Sequence, residues 1–253
     1  MGDNEQAAAP PNATPRRGPS VRQGVPPWQS IKTRVTLFTL AVFLLSLWAL
    51  AFYTSRVLRE DIERLLSEQQ FSMAAILAKD VDSELATRRM DLETVAASMG
   101  KAMPGNPSAV QQRLDNLPVF QRQFNGGIFA ATVDGTAIAE VPLATGRLGL
   151  NFRDNEAVAA VLDSGRTAIG GPIMGKQLKA PVFHMATPIR DGQGKVVGVL
   201  VGVTHLTGAN FLERITDSRF GKTGGYLLVD PRHRRVVTAT DKRRIMEASP
   251  PPG

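Results

Sequence analysis

Three histidines, His184, His205 and His233, are the only imidazoles in the chain, so metal ligation and proton transfer would have to begin with them. Each stands alone: no HxxxH, HExxH or carboxylate pair at ligand spacing accompanies them, and no metal site is expected. If "APVFHMATPIR" and "KVVGVLVGVTHL" pair through the turn "DGQG", His184 and His205 do not face each other. "GKTGG" at 221–225 carries the glycines and lysine of a phosphate loop without the GxxxxGK[ST] spacing. "DSG" at 163–165 offers Ser164 as a nucleophile with no base in the same motif. The chain has no cysteine, which removes thiolate metal sites and disulfides. No catalytic residue is assigned, no cofactor is expected, and the chain reads as a non-enzyme.

Charge gives the next bound. Lys and Arg number 30 against 23 Asp and Glu, for a net charge of +7. One basic group (Arg16, Arg17, Arg22, Lys32, Arg34) precedes an apolar run; a second (Arg219, Lys222, Arg232, Arg234, Arg235, Lys242, Arg243, Arg244) lies near the end. Neither is interleaved with stacking aromatics or set on a recognition helix, so a nucleic-acid partner is not expected. Val35 to Ser55, "VTLFTLAVFLLSLWALAFYTS", runs 21 residues without a charge, close to the ~20 that span a bilayer core. The spacing predicts a transmembrane helix over 35–55 behind a disordered tail at 1–34, poor in apolar periodicity. Cations in front of the run and Glu60, Asp61 and Glu63 behind it place the tail in the cytoplasm and residues 56–253 in the periplasm, by the positive-inside bias. A cleaved signal peptide is the alternative, with "ALA" at 49–51 as its site.

The elements beyond that run must position whatever binds. Leu66, Met73, Leu77, Val81, Leu85, Leu92, Val95 and Met99 recur at steps of three, four or seven, with Arg88 on the same stripe: one apolar face of a long stalk helix over 56–99. The stripe can cover its own domain above while Ile62, Leu65 and Leu66 pair with a second copy below, making a homodimer. "GKAMPGNPS" at 100–108 breaks the helix. "GGIFAATVDGTAIAEVP" reads as a hairpin turning at Asp134-Gly135. "NEAVAAVLDS" follows as a short helix, with Asp154 as its N-cap and Gly165 as its end. "APVFHMATPIR" and "KVVGVLVGVTHL" then give a longer hairpin. In its last strand Val197, Val199, Val201 and Val203 share one face, and Gly198 and Gly202 bare the other, against the long helix or a ligand. "GANFLERITDSRFG" is a linking helix, after which "GGYLLVD" and "RRVVTATDK" restart the pattern. The order makes an α+β fold: an antiparallel sheet with helices on its faces, then the beginning of a second such unit.

The ordered motifs "RLGLNFRDNEAV", "DSGRTAIGGPIMGK", "APVFHMATPIRDGQGKVVGVLVGVTHL" and "FGKTGGYLLVD" resemble a double Cache sensor, over about residues 56–247. That resemblance implies a PAS-like membrane-distal Cache domain at 100–206. It also implies a membrane-proximal one begun at 207–253 with only its linker helix and first hairpin, so that the chain reads as the front piece of a longer receptor. Cache domains that bind amino acids carry an Arg and aromatics in the short-helix motif and an Asp late in the last strand. Here those positions hold Asn155, Ala157, Val158 and Val203, and an α-amino acid held in that way is not expected. Arg153 and Lys176 remain to meet an anionic group, and the implied ligand-binding set is Phe152, Arg153, Asn155, Met174, Lys176, Phe183 and Met185. The function implied is extracytoplasmic small-molecule sensing in a bacterial inner-membrane receptor. Its cytoplasmic output would be a diguanylate cyclase or phosphodiesterase first, a histidine kinase next and a chemoreceptor after that. The alternative is a periplasmic protein-interaction or assembly module with no small ligand.

Overall fold

A computed structural model describes residues 31–103, 105–220 and 223–249. The expected tail up to residue 30 lies outside the described residues, whereas residues 31–34, expected to belong to it, are helical. The chain divides into two compact units, 1–64 and 65–253. In the first, helix α1 (Ile31–Met99) begins four residues before the predicted span. Its segment Ile31–Leu58 has a mean hydropathy of 2.3 and is the one helix among the described residues long and apolar enough to cross a membrane. Four of its hydroxyls bond back to the helix: Thr36, Thr39, Ser46 and Thr54 donate to the carbonyls of Lys32, Val35, Val42 and Leu50 at 2.9, 2.7, 2.8 and 2.9 Å. In hydrocarbon an unmet donor is costly, so these back-bonds make a polar residue tolerable there.

In the second unit the elements are α2 (Pro107–Asp115), α3 (Pro118–Gln123), β1 (Ile128–Thr132), β2 (Ala137–Val141), α4 (Glu156–Ser164), β3 (Ala168–Ile169), β4 (Ile173–Met174), β5 (Pro181–Arg190), β6 (Val196–His205), α5 (Glu213–Asp217), β7 (Arg219–Phe220), β8 (Gly224–Gly225), β9 (Leu227–Asp230) and β10 (Arg235–Ala239). The main sheet has the order β2-β1-β6-β5-β3, with β4 also on β5, and every pair is antiparallel. This is the α+β fold that the periodicities predict. Its inner strands are covered on both faces, which their nearly unbroken apolar sequence requires.

One face packs against α1, α2 and the segment around α3. Leu92, Val95, Ala96 and Met99 of α1, with Val110, Leu114 and Phe124, bury Ile128, Ala130, Met185, Ile189 and Leu200. The other face packs against α4, where Ala157, Val158 and Val161 meet Phe129, Ala131, Ala186, Val199, Val201 and Val203. A third cluster joins Val81 and Phe183 to Leu206, Leu212, Ile215 and Ile245, with Leu228 and Val237 of the β9–β10 hairpin against it. An isolated hairpin is marginal in water, and this third cluster supplies the face it needs.

Several expectations change. Leu77, Val81, Arg88, Leu92, Val95 and Met99 form the buried stripe, but Met73 is exposed. Leu65, expected to meet a second copy, is exposed in the single chain, and the side chains of Ile62 and Leu66 lie outside the described residues. Val197 leaves the valine face for the α1 layer, beside an irregularity in the β5–β6 register between Ile189 and Arg190. Gly198 and Gly202 make room for Met103 and Phe124 rather than for α1: a Cβ on Gly202 would sit 2.4 Å from the Phe124 ring, and one on Gly198 2.1 Å from the Met103 methyl. The N-cap of α4 is Asn155, not Asp154. Helices α2 and α3 were not anticipated, although Asn106 caps α2 by accepting from the Ala109 N–H at 3.0 Å.

Candidate functional site

Two groups of polar side chains stand out against this apolar frame. The first is buried in the α4 layer. Glu140 on β2 is 0% exposed and Arg147, in the loop that follows, 3%. The Arg147 backbone N–H donates to Glu140 Oε1 at 2.9 Å, and its Nη2 donates to the Gly126 carbonyl at 2.5 Å. Arg147 Nη1 and Glu140 Oε2 lie 3.8 Å apart, and neither has a hydrogen-bond partner among the described residues. Burial pulls the Arg147 guanidinium below its ordinary value, and the Glu140 carboxylate pulls it back. The Phe129 ring lies 5.6 Å from the guanidinium carbon.

Beside this pair, Asn155 Oδ1 accepts from the N–H groups of Ala157 and Val158 at 3.1 and 3.3 Å, which fixes the first turn of α4. Its amide nitrogen is left facing His184 Nδ1 at 3.0 Å. An amide nitrogen only donates, so Nδ1 must accept and the proton of the neutral imidazole sits on Nε2. Burial, with the positive charge of Arg147 added, lowers the His184 pKa to about 4. The imidazole is therefore a neutral positioning group for the α4 cap.

The second group lines a cleft of about 290 Å³, close to the lower end of ligand-pocket sizes. Its floor is apolar: Val81 and Leu85 from α1, Phe183 from β5, Phe211 and Leu212 before α5, and Leu228 from β9. Its rim is polar and comes from chain segments far apart in sequence. His233, in the β9–β10 turn, faces Asp230 with Nδ1 at 2.5 Å and Glu156 of α4 with Nε2 at 3.4 Å. Glu156 Oε2 also accepts from the Gly171 N–H at 3.0 Å, and Arg232 Nη1 is 3.9 Å from Oε1. Gly171 is where the β3–β4 loop meets the turn: a Cβ there would lie 2.4 Å from His233 Nδ1 and 2.6 Å from Asp230 Oδ2. Partial burial would push Asp230 up, but hydrogen bonds from His233 and the Arg232 N–H outweigh it and hold the carboxyl below its ordinary value. Asp82 of α1 adds a third carboxylate to the lining.

The seven residues singled out from the sequence do not converge. Phe152 and Asn155 are buried in the α4 layer. Met185 points to the opposite face of the sheet, into the α1 layer, because it is one residue out of phase with His184 and Ala186. Phe183 shares that phase but lies nearer the start of β5 and reaches the cleft. Met174 is exposed. Arg153 is paired with Asp163, and Lys176 with Asp154 at 2.6 Å over the Phe152 ring. Both cations expected to meet an anion already have carboxylate partners. The cleft residues Glu156, Asp230 and His233 were missed; only a lone histidine in a turn marked them. Glu140 had a plainer signal, a single charge inside the apolar run "AIAEV".

Comparisons with known proteins bear on the family and the fold. The family model described as Cache domain, dCache_1, matches residues 54–249. Among solved structures, the ligand-binding domain of the Pseudomonas aeruginosa PAO1 amino acid chemoreceptor PctB in complex with L-Arg is similar at 24% identity. That match covers 68% of this chain and 70% of that one, with a TM-score of 0.55. The ligand-binding domain of the Pseudomonas fluorescens chemoreceptor CtaA in complex with L-isoleucine is 19% identical over 75% of each chain, with a TM-score of 0.60. The ligand-binding domain of Mlp24 with asparagine is 17% identical, covering 75% of this chain and 77% of that one, at 0.60. At such identities the likeness is one of fold. A search of the curated proteins finds no match.

Proposed function

Because the chain belongs to the Cache-domain family, we propose that it is the ligand-sensing input of a bacterial transmembrane signalling receptor. Helix segment Ile31–Leu58 would anchor it in the inner membrane. The excess of cations before that segment favours an amino terminus in the cytoplasm and residues 56–253 in the periplasm. A second copy would pair along the stalk. The cytoplasmic output would be of the diguanylate cyclase or phosphodiesterase, histidine kinase or chemoreceptor class.

The observation that carries the reading is the cleft, because three separate parts of the second unit meet in its wall. Val81 and Leu85 belong to α1, Phe183 and Glu156 to the sheet and its covering helix, and Asp230 and His233 to the β9–β10 hairpin. A small molecule seated there touches the helix that leads toward the membrane segment and the hairpin at once. If it binds one arrangement of these parts more tightly than another, it shifts their balance, and only such differential affinity can signal. The structures that resemble this chain hold L-arginine, L-isoleucine and asparagine, and a small organic molecule of that order is the ligand class we adopt.

The test uses the full chain in lipid nanodiscs. The absence of cysteine lets Ile76→Cys and Arg234→Cys be introduced together and spin-labelled without background. Amino acids, amines and carboxylates are screened by thermal shift, and the label-to-label distance is read with and without each hit. A compound that raises the melting temperature and moves the distance distribution supports the reading. A screen in which nothing does either refutes it in favour of a protein-interaction module.

A further inference from the structure

We propose that the cleft selects a primary amine with a compact apolar body, its ammonium held by Glu156 and Asp230. This rests on the reading of the cleft as the ligand site and adds the chemistry of its occupant. The size sets the body. A cleft of about 290 Å³ lies close to the lower end of ligand-pocket sizes, so the body is a small one. The floor sets its character: Val81, Leu85, Phe183, Phe211, Leu212 and Leu228 offer apolar contact and no charge.

The rim sets the head group. Asp82, Glu156 and Asp230 are carboxylates, and the side chains facing them are His233 and Arg232. The Arg232 side chain is 78% exposed and stands 3.9 Å from Glu156, too far for a hydrogen bond, so it leaves the carboxylate available. The His233 imidazole lies between Glu156 and Asp230, and its side chain is 43% exposed, so it can swing outward with the turn that carries it. An ammonium entering the cleft replaces the imidazole as the donor between the two carboxylates, with three N–H groups to offer. An anionic ligand of the same shape would instead meet three carboxylates, with the exposed Arg232 guanidinium to pair with. The site is thus shaped to take a cation at one end and grease at the other. Because the competing donor belongs to the β9–β10 turn, amine binding is coupled to the seat of that hairpin on α4.

The experiment is calorimetric titration of the full chain in nanodiscs with 2-phenylethylamine, 2-phenylethanol and 3-phenylpropionate, which share a body and differ in head group. The amine is expected to bind at least roughly tenfold more tightly than the carboxylate, the usual scale for a hydrogen bond to a charged group. Glu156→Gln with Asp230→Asn, near-isosteric and checked for an unchanged melting temperature, should weaken the amine roughly tenfold and leave the alcohol unchanged. His233→Ala, which frees both carboxylates, should tighten amine binding; a purely structural imidazole would not. Carboxylate binding equal to the amine, or amine affinity that survives the double variant, overturns the amine assignment while leaving a ligand site in the cleft. If none of the three compounds binds, the amine assignment fails, and the reading of the cleft as the ligand site is decided by the thermal-shift and distance screen.

Discussion

Protonating His184 should unfasten the α4 cap, and the size of the effect follows from its surroundings. The neutral ring accepts from Asn155 at 3.0 Å; an added proton on Nδ1 would point at an amide that can only donate, with the Arg147 charge nearby. Its pKa is lowered from 6.5 to about 4. Between those values the unfolded chain binds a proton that the fold refuses, so stability is full above 6.5 and falls as the pH drops toward 4. Integrating the linkage from about pH 7.5 to about pH 4.5 gives a loss of about 2.5 kcal/mol from this one group. The assay is urea unfolding of the full chain in detergent, followed by far-UV circular dichroism at both pH values, with His184→Gln in parallel. The glutamine carbonyl can accept the same Asn155 N–H without titrating, so the variant should lose about 2.5 kcal/mol less than the parent over the interval. Carboxylates contribute equally to both chains and cancel in the comparison. Hydrogen exchange at the Ala157 and Val158 amides should speed up at the lower pH in the parent alone. Equal pH losses in parent and variant would show that His184 already carries its proton in the fold, and the hydrogen-bond argument would be wrong.

Further outcomes follow from the same packing. Arg147→Met leaves Glu140 as an uncompensated buried charge and should cost about 3–5 kcal/mol in the same urea assay, whereas Glu140→Gln with Arg147→Met should recover most of that loss. Gly202→Ala drives a methyl into the fully buried Phe124 ring and should cost about 1–3 kcal/mol; Gly192→Ala, with no atom within 4 Å, should be neutral or slightly stabilising. Gly171→Ala collides with His233 and Asp230 and should speed hydrogen exchange across β9–β10 without changing exchange in β1 or β6.

The parts of the fold that were legible are those whose pattern is carried by neighbours in the chain. The stripe through Leu77, Val81, Arg88, Leu92, Val95 and Met99 repeats at helical spacing, and it is the face buried in the structure. The hairpins around Asp134-Gly135 and "DGQG" are apolar, β-rich runs on either side of turn residues, and β1–β2 and β5–β6 pair across them, with His184 opposite Val203 and His205 opposite Val182. Helices α2 and α3 were not legible because segments of nine and six residues are too short to hold themselves, and Val110, Leu114 and Phe120 are helical through the core they enter.

The site divides the same way. Asn155, Ala157, Val158 and Val203 are picked out by the family resemblance, and they are buried in the layer of α4. Met185 could not be separated from Phe183 by periodicity, since both share a face of β5; which layer each enters depends on what lies above that face at each end of the strand. Glu156 and His233 meet only because the third apolar cluster docks the β9–β10 hairpin beside α4 and Gly171 lets the backbone close in. Interval and composition along the chain thus determined the helix suited to a bilayer, the strands, their turns and the buried faces. The meeting of carboxylates and imidazole around the cleft was decided by tertiary packing, because the burial that brings distant segments together acts on area and leaves no period in the sequence.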